Sequence, residues 1–318
     1  MSTNNNSKLP FTQIVAFGDS WSDAGNYSAA IQAVGKTFDK TLSIIPNTSP
    51  YANGRFSSGY NWVDHLSESV GLPKTTPARL VKENFSGTVK DLGNYNAATL
   101  TAAQGNNWAW GAAPMGTGET EVLSLGAKIL PRINQQISDF SQQHLDGFEP
   151  HTLVTILGGG DSYFFKDPED HSGKNVANLY LNALRAIAEK GAHHILVVNQ
   201  IDLTNLPAIT DESGKTFAEN YNAQLEAELP AVKQAYANTH FYEYDLFGLM
   251  SNIVNQLSAG EVYRDALTDI EITGLTRIDE GGPATSAFTD NAHPSDLLYQ
   301  IVAAHALKAI ETSQVVMK

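Results

Sequence analysis

Two short segments at opposite ends of the chain carry residue types that could do chemistry together. Near the start, Gly18-Asp19-Ser20 closes an apolar run; near the end stands Asp290-Asn291-Ala292-His293-Pro294. A serine hydroxyl is a poor nucleophile until an adjacent imidazole takes its proton. The imidazole in turn needs a carboxylate to fix its tautomer and steady its positive form. Each segment supplies what the other lacks, with Ser20 as nucleophile, His293 as base and Asp290 as the acid that orients it. Gly18 permits close backbone approach where a strand turns, and free backbone N–H groups at a helix start favour a developing negative charge. The same three residues also suit a plain turn with an N-capping serine. Among the nine histidines, His293 has an acid three residues before it and a proline after it. Proline disfavours helical backbone at His293, so the pair belongs on a loop ahead of the last helix. Asp296 is a nearby carboxylate, expected to cap that helix or face solvent. Gly160-Asp161-Ser162 repeats the early tripeptide and makes Ser162 a rival nucleophile.

The elements that must position these residues alternate in type. Apolar runs at 12–17, 153–157, 194–199 and 241–244 read as strands, the second as a buried parallel one. Helical spacing starts at Asn61-Trp62 and stops at Gly71 and Pro73, recurs at 176–187 ahead of Gly191, and recurs again at 217–237 and 297–310. Residues 72–150, rich in Asn, Gly, Thr and Pro, read as long loops and short helices. Strands alternating with helices imply parallel βαβ units, whose ligands sit beyond the carboxyl ends of the strands. Ser20, Gly111 and Asp161 each follow an expected strand end. We expect a disordered tail over 1–10 and one domain over 11–318.

Composition removes several classes of function. Net charge over the 318 residues is −14, which opposes nucleic acid or an anionic membrane surface as partner. Without cysteine, thiolate nucleophiles, disulfides and Cys-ligated metals are excluded. The histidines form no His-Glu-x-x-His pair, so no zinc site is expected. No stretch approaches the ~20 apolar residues of a membrane span. The N-terminus is polar without an apolar leader core, so the expected location is cytoplasmic, or secreted if a leader preceded residue 1. No Gly-x-Ser-x-Gly frames either serine, which argues against an α/β-hydrolase elbow.

Longer motifs sharpen the picture. Phe17-Gly18-Asp19-Ser20-Trp21-Ser22-Asp23-Ala24-Gly25-Asn26 strongly resembles the first block of the GDSL, or SGNH, esterase and lipase family. Asn53-Gly54-Arg55-Phe56 is similar to a segment of its plant and fungal branches, Asn107-Trp108-Ala109-Trp110-Gly111-Ala112-Ala113 to its second block, and Asp290-x-x-His293-Pro294 to its last. The matches keep the family's order from about residue 12 to 310. This resemblance implies a three-layer α/β/α fold around a parallel, flavodoxin-like five-stranded sheet. It also implies a catalytic set of Ser20, Asp290 and His293, with backbone N–H groups of Ser20 and Gly111 in the oxyanion hole and no cofactor.

The third block departs from the family. Where Gly-x-Asn-Asp is expected, this chain has Gly158-Gly159-Gly160-Asp161, so Gly160 stands at the oxyanion position without the side-chain amide. Losing one such donor lowers rate by ~10²–10³, about 2.7–4 kcal/mol. Either the Ser20 and Gly111 amides suffice, or another donor such as Asn107 or Asn199 fills the gap, or Gly160 makes room for a bulkier acyl group. Trp21 and Trp108 could wall a sugar or aryl group, or pack in the core; Asp161 is a further substrate-binding candidate. The expected activity is hydrolysis of a small soluble, short-acyl carboxylic ester through an acyl-enzyme. The alternatives are an acyltransferase or lactone-forming enzyme with the same triad, or a catalytically weakened binding protein.

Overall fold

A computed structural model describes residues 9–30, 46, 48–78, 105–122, 127–165 and 172–316. Of the tail expected over 1–10, residues 1–8 lie outside this set, as does 79–104 of the stretch read as loops. In chain order the elements are β1 (Gln13–Gly18), α1 (Trp62–Ser69), β2 (Glu119–Val122), β3 (Ala127–Pro131), α2 (Ile133–Gln143), β4 (Thr152–Leu157), α3 (Gly160–Phe165), α4 (Gly173–Glu189), β5 (His194–Val198), α5 (Ser213–Ala235), β6 (His240–Tyr244), α6 (Leu246–Ser258), β7 (Tyr263–Arg264), β8 (Glu271–Ile272) and α7 (Asp296–Val316).

The main sheet is parallel, in the order β1-β4-β5-β6. Its carboxyl ends are aligned in register, with Gly18 opposite Leu157, Ile156 opposite Val197 and Val198 opposite Tyr244. On the free side of β1, Asn107 makes a parallel bridge to Ala16. Hydrogen bonds run from the Ala16 amide to Asn106, from Trp108 to Ala16 and from Trp110 to Gly18. Residues 106–110 thus take the place of a fifth strand, paired for too short a stretch to form a regular one. With that bridge the order is the flavodoxin-like one, and the strand order reverses at β1 and β4. Every residue of β4 is buried, as its unbroken apolar run requires.

Helices flank the sheet in two groups, giving the three-layer α/β/α fold. Helix α1 packs on α7, while α4 packs on both α2 and α5. Val176, Tyr180, Ala183, Leu184 and Ile187 bury one face of α4, Ser172 caps its start, and Gly191 at φ +91° follows its end. Helix α5 runs from Ser213 to Ala235, against the expected 217–237, and α7 runs to Val316, against 310; the added turns, such as Ser213–Thr216, are largely polar and lack the apolar period. Helix α2 lies in the segment read as long loops and short helices; its apolar stripe of Ile133, Ile137 and Phe140 is only three residues long. No helix among the described residues is long and apolar enough to cross a membrane.

Candidate active site

The structure brings Ser20, His293 and Asp290 into one hydrogen-bonded line. His293 Nε2 lies 2.9 Å from Ser20 Oγ, and Nδ1 lies 2.7 Å from Asp290 Oδ2 and 2.9 Å from Oδ1. Asp290 Oδ1 also accepts the amides of Ala292 (2.7 Å) and His293 (2.8 Å), so the loop folds around its own acid. Tyr51 Oη donates to Asp290 Oδ2 at 2.6 Å. Burial works to raise the Asp290 pKa, but His293, Tyr51 and the Ala292 amide outweigh it and hold the carboxyl at about 2. A carboxylate that stays ionised throughout neutral pH suits the steadying of an imidazolium.

Backbone anchors explain why these residues meet. A Cβ on Gly18 would lie 2.5 Å from Leu157 O, so only glycine lets β1 end this close to β4. The Gln136 carboxamide clamps Gly18 on both sides, accepting from its amide at 3.0 Å and donating to its carbonyl at 2.9 Å. Asp23 gathers four amides, those of Gly25, Asn26, Tyr27 and Gly111. Asn61 caps α1 through its Oδ1 and donates from Nδ2 to the carbonyls of Ser22 and Asp23. Trp21 Nε1 donates to Ala292 O at 3.0 Å, tying the serine loop to the histidine loop. Arg55 pairs with Asp64 at 2.9 Å and holds the loop that leans Phe56 on the His293 ring, with centroids 4.9 Å apart.

A cavity of about 550 Å³ opens beside Ser20 and His293. Asp19, Trp21, Gly160 and Asp161 line it, and Leu157, Phe164, Leu203, Leu206 and Ile209 give it apolar wall. Asp19 and Asp161 are both pushed above the ordinary carboxylate range. Burial is the main cause for each, and for Asp19 the neighbouring Asp161 adds to it. Asp161 rises to about 6, restrained by His293 and the Ala113 amide. Its Oδ2 is buried without a hydrogen-bond partner among the described residues.

Several expected site residues fall elsewhere. The Gly111 amide is not directed at the cavity; it donates to Asp23 Oδ2 at 2.9 Å. Glycine is needed there for packing, since a Cβ would lie 2.6 Å from two ring carbons of Phe56. The next residue, Ala112, lines the cavity at φ +59°, and its amide makes no hydrogen bond among the described residues. A non-glycine residue held in that region costs about 1–3 kcal/mol. Trp108 is fully buried, packed edge-on against Phe140 and His144, and does not reach the cavity. Asn107 spends its side chain on Ser22, Thr75 and Ala109. Asn199 lines the cavity, but its amide is held by Asp245 and Phe247. Ser162 is fully buried and accepts from the Met115 amide, out of reach of a substrate. Asp296 joins loop to helix through Tyr60 and His65.

Sequence reasoning missed Tyr51, 239 positions from its partner, and no local motif marks it. Ala112 was detectable only to within one residue, because the direction of an amide is a matter of backbone angle.

Residues 14–306 match the GDSL-like lipase/acylhydrolase family, to which the chain therefore belongs. Among individual proteins, it is 24% identical to a phosphatidylcholine-sterol acyltransferase of Aeromonas hydrophila over 68% of this chain and 52% of that one. It is 24% identical to a GDSL esterase/lipase of Arabidopsis thaliana over 97% of this chain and 92% of that one. The chain thus spans about half the length of the Aeromonas relative. A GDSL-like lipase structure from Parabacteroides merdae aligns over 94% of this chain and 95% of its own, with 13% identity and a TM-score of 0.44.

Proposed function

We propose that the chain is a serine-dependent carboxylic-ester hydrolase working through an acyl-enzyme. The observation that carries this reading is the Ser20–His293–Asp290 line, with contacts of 2.9 and 2.7 Å, opening on a cavity. Ser20 Oγ attacks the ester carbonyl carbon as His293 Nε2 takes its proton. The carbonyl oxygen becomes the oxyanion, held by the amides of Ser20 and Ala112. His293 then returns the proton to the leaving alkoxide, and water repeats the sequence to release the acid. Asp290 holds His293 Nδ1–H throughout. The apolar residues of the cavity favour a hydrocarbon acyl group, and the 550 Å³ has room for more than acetyl, longer than the short chains expected from sequence. Turnover of p-nitrophenyl acetate and p-nitrophenyl hexanoate by wild type and Ser20→Ala tests the assignment. Equal rates in the two proteins would sink it.

An acyltransferase is the second reading, favoured by the similarity to the Aeromonas acyltransferase. It uses the same first step and passes the acyl group to an alcohol instead of water. Added alcohols then yield new esters at the expense of free acid.

A further inference from the structure

We propose that Gln200 supplies the oxyanion donor that Gly160 cannot, so that the hole is completed from β5 instead of from the turn after β4. The proposal rests on the reading of Ser20 as nucleophile.

Gln200 stands two residues beyond the end of β5, the strand beside β4, and lines the same cavity as Ser20, Gly160 and His293. Its carboxamide lies across the Gly159–Gly160 step. A Cβ on Gly160 would lie 3.9 Å from Gln200 Nε2, and one on Gly159 would lie 2.7 Å from Gln200 Oε1. Gly159 therefore makes room for the carboxamide, which offers an amide nitrogen beside the point where an asparagine at 160 would begin. The residue is 8% exposed. Its side chain nevertheless makes one hydrogen bond among the described residues, from Nε2 to Ile201 O at 3.5 Å. That is the outer limit of such a bond, so a buried N–H donor is left almost unspent, an arrangement that folded proteins avoid unless a ligand completes it. Its backbone is fixed instead. The Asn222 carboxamide accepts from the Gln200 amide and donates to the Gln200 carbonyl, both at 2.8 Å. The backbone that carries the donor is thus fixed before substrate arrives, which favours electrostatic stabilisation of an oxyanion. The other amides nearby are committed: Asn107 and Asn199 both spend theirs on neighbours. Asp161 can donate only when protonated, whereas a carboxamide donates at any pH.

The experiment compares kcat, KM and melting temperature on p-nitrophenyl hexanoate for wild type, Gln200→Met, Gln200→Ala, Gly160→Asn and Gly160→Asn/Gln200→Ala. Removing the donor is expected to lower kcat by ~10²–10³-fold, the loss typical of one oxyanion donor, with KM changed far less. Gln200→Met keeps the volume if the alanine variant does not fold. Gly160→Asn alone is expected to gain nothing, because its side chain enters space that Gln200 occupies. In the Gln200→Ala background the same change is expected to restore at least ~10-fold in kcat, since one donor replaces the other. Wild-type kcat in Gln200→Met overturns the proposal. So does a loss of kcat that follows the melting temperature and is not rescued by Gly160→Asn. The two readings fail separately: equal turnover by wild type and Ser20→Ala refutes the nucleophile, whereas an inactive Ser20→Ala beside a fully active Gln200→Met refutes only the donor.

Discussion

Gly111→Ala separates packing from oxyanion binding as the reason for glycine at this position. The added Cβ would lie 2.6 Å from Cε2 and Cζ of Phe56 and 3.2 Å from Cγ of Tyr27. Non-bonded carbons settle at about 3.5–4.0 Å, so the Phe56 ring would have to retreat by about 1 Å. It has little freedom to do so, being 7% exposed with Tyr27 at 5.4 Å and the His293 ring at 4.9 Å, centroid to centroid. Overpacking of this kind costs roughly 1–3 kcal/mol. Moving the base by a comparable distance costs up to ~10²-fold in rate. Expected for Gly111→Ala are therefore a melting temperature lowered by several degrees and kcat down by about 10–100-fold. Phe56→Leu should relieve the crowding, so the double variant recovers part of both losses and the cycle gives a favourable coupling energy. The assay is kcat on p-nitrophenyl acetate with thermal unfolding of the four proteins. Wild-type kcat and stability in Gly111→Ala would refute the packing account. If the Gly111 amide were itself the donor, alanine would keep the N–H and shortening Phe56 would rescue nothing.

Three further variants test individual side chains. Tyr51→Phe removes a 2.6 Å bond to Asp290; bonds to charged groups contribute about 1.5–3 kcal/mol, so kcat/KM should fall by about 10–100-fold, measured as initial rates. The same variant should unfold at higher pH on the acid side. Asp290 is held at about 2, so its stabilisation is full above the ordinary carboxylate pKa and is lost as pH falls from about 4 towards 2; losing the Tyr51 donor moves that window upward. Trp21→Phe keeps the ring packed on Tyr299 but drops the bond to Ala292 O, and should lower kcat several-fold for about 1 kcal/mol of stability, read from kinetics and chemical denaturation. Asp139→Asn should stabilise the protein at neutral pH. Burial raises Asp139 to about 6, with the Gln135 hydrogen bond opposing it. The folded state therefore keeps a proton that the unfolded state has lost, stability falls as pH rises from about 4 to 6, and the loss persists at pH 7. Asparagine keeps the acceptor without the charge, so its gain, at most about 3 kcal/mol, should vanish at pH 4.

The parts of this molecule legible in the sequence are those set by local pattern. The apolar run of β4, buried at every residue, can be read directly because both of its faces meet helices. The Asp290-x-x-His293 spacing is equally direct, since the loop closes on its own acid through two amides. What escaped the sequence depends on direction or on distant partners. Gly111 and Ala112 are neighbours, yet the Gly111 amide donates to Asp23 while the Ala112 amide makes no hydrogen bond among the described residues. Trp108 sits in a motif beside the site but follows a residue bridged to β1, so its side chain enters the core. Tyr51 reaches Asp290, and Gln200 the cavity, from segments that carry no motif.

The groups that hold the site outnumber those that act in it, and this bears on how the missing asparagine can be tolerated. Gln136 on Gly18, Asp23 on Gly111, Asn61 on Ser22 and Asn222 on Gln200 each clamp a backbone at the place where a strand has just ended. Strand ends otherwise leave amides and carbonyls unpaired, and a buried unpaired group costs about 1–3 kcal/mol. Carboxamides are suited to the task because one side chain satisfies a donor and an acceptor together. A hole built from clamped strand ends has several rigid approaches to the same point in space, from the turns after β1, β4 and β5. A donor lost from one turn can then be supplied by its neighbour without rebuilding the nucleophile. Substitution at Asn222, which does not itself line the cavity, should accordingly lower kcat by loosening Gln200 while leaving the reaction of Ser20 with a fluorophosphonate intact.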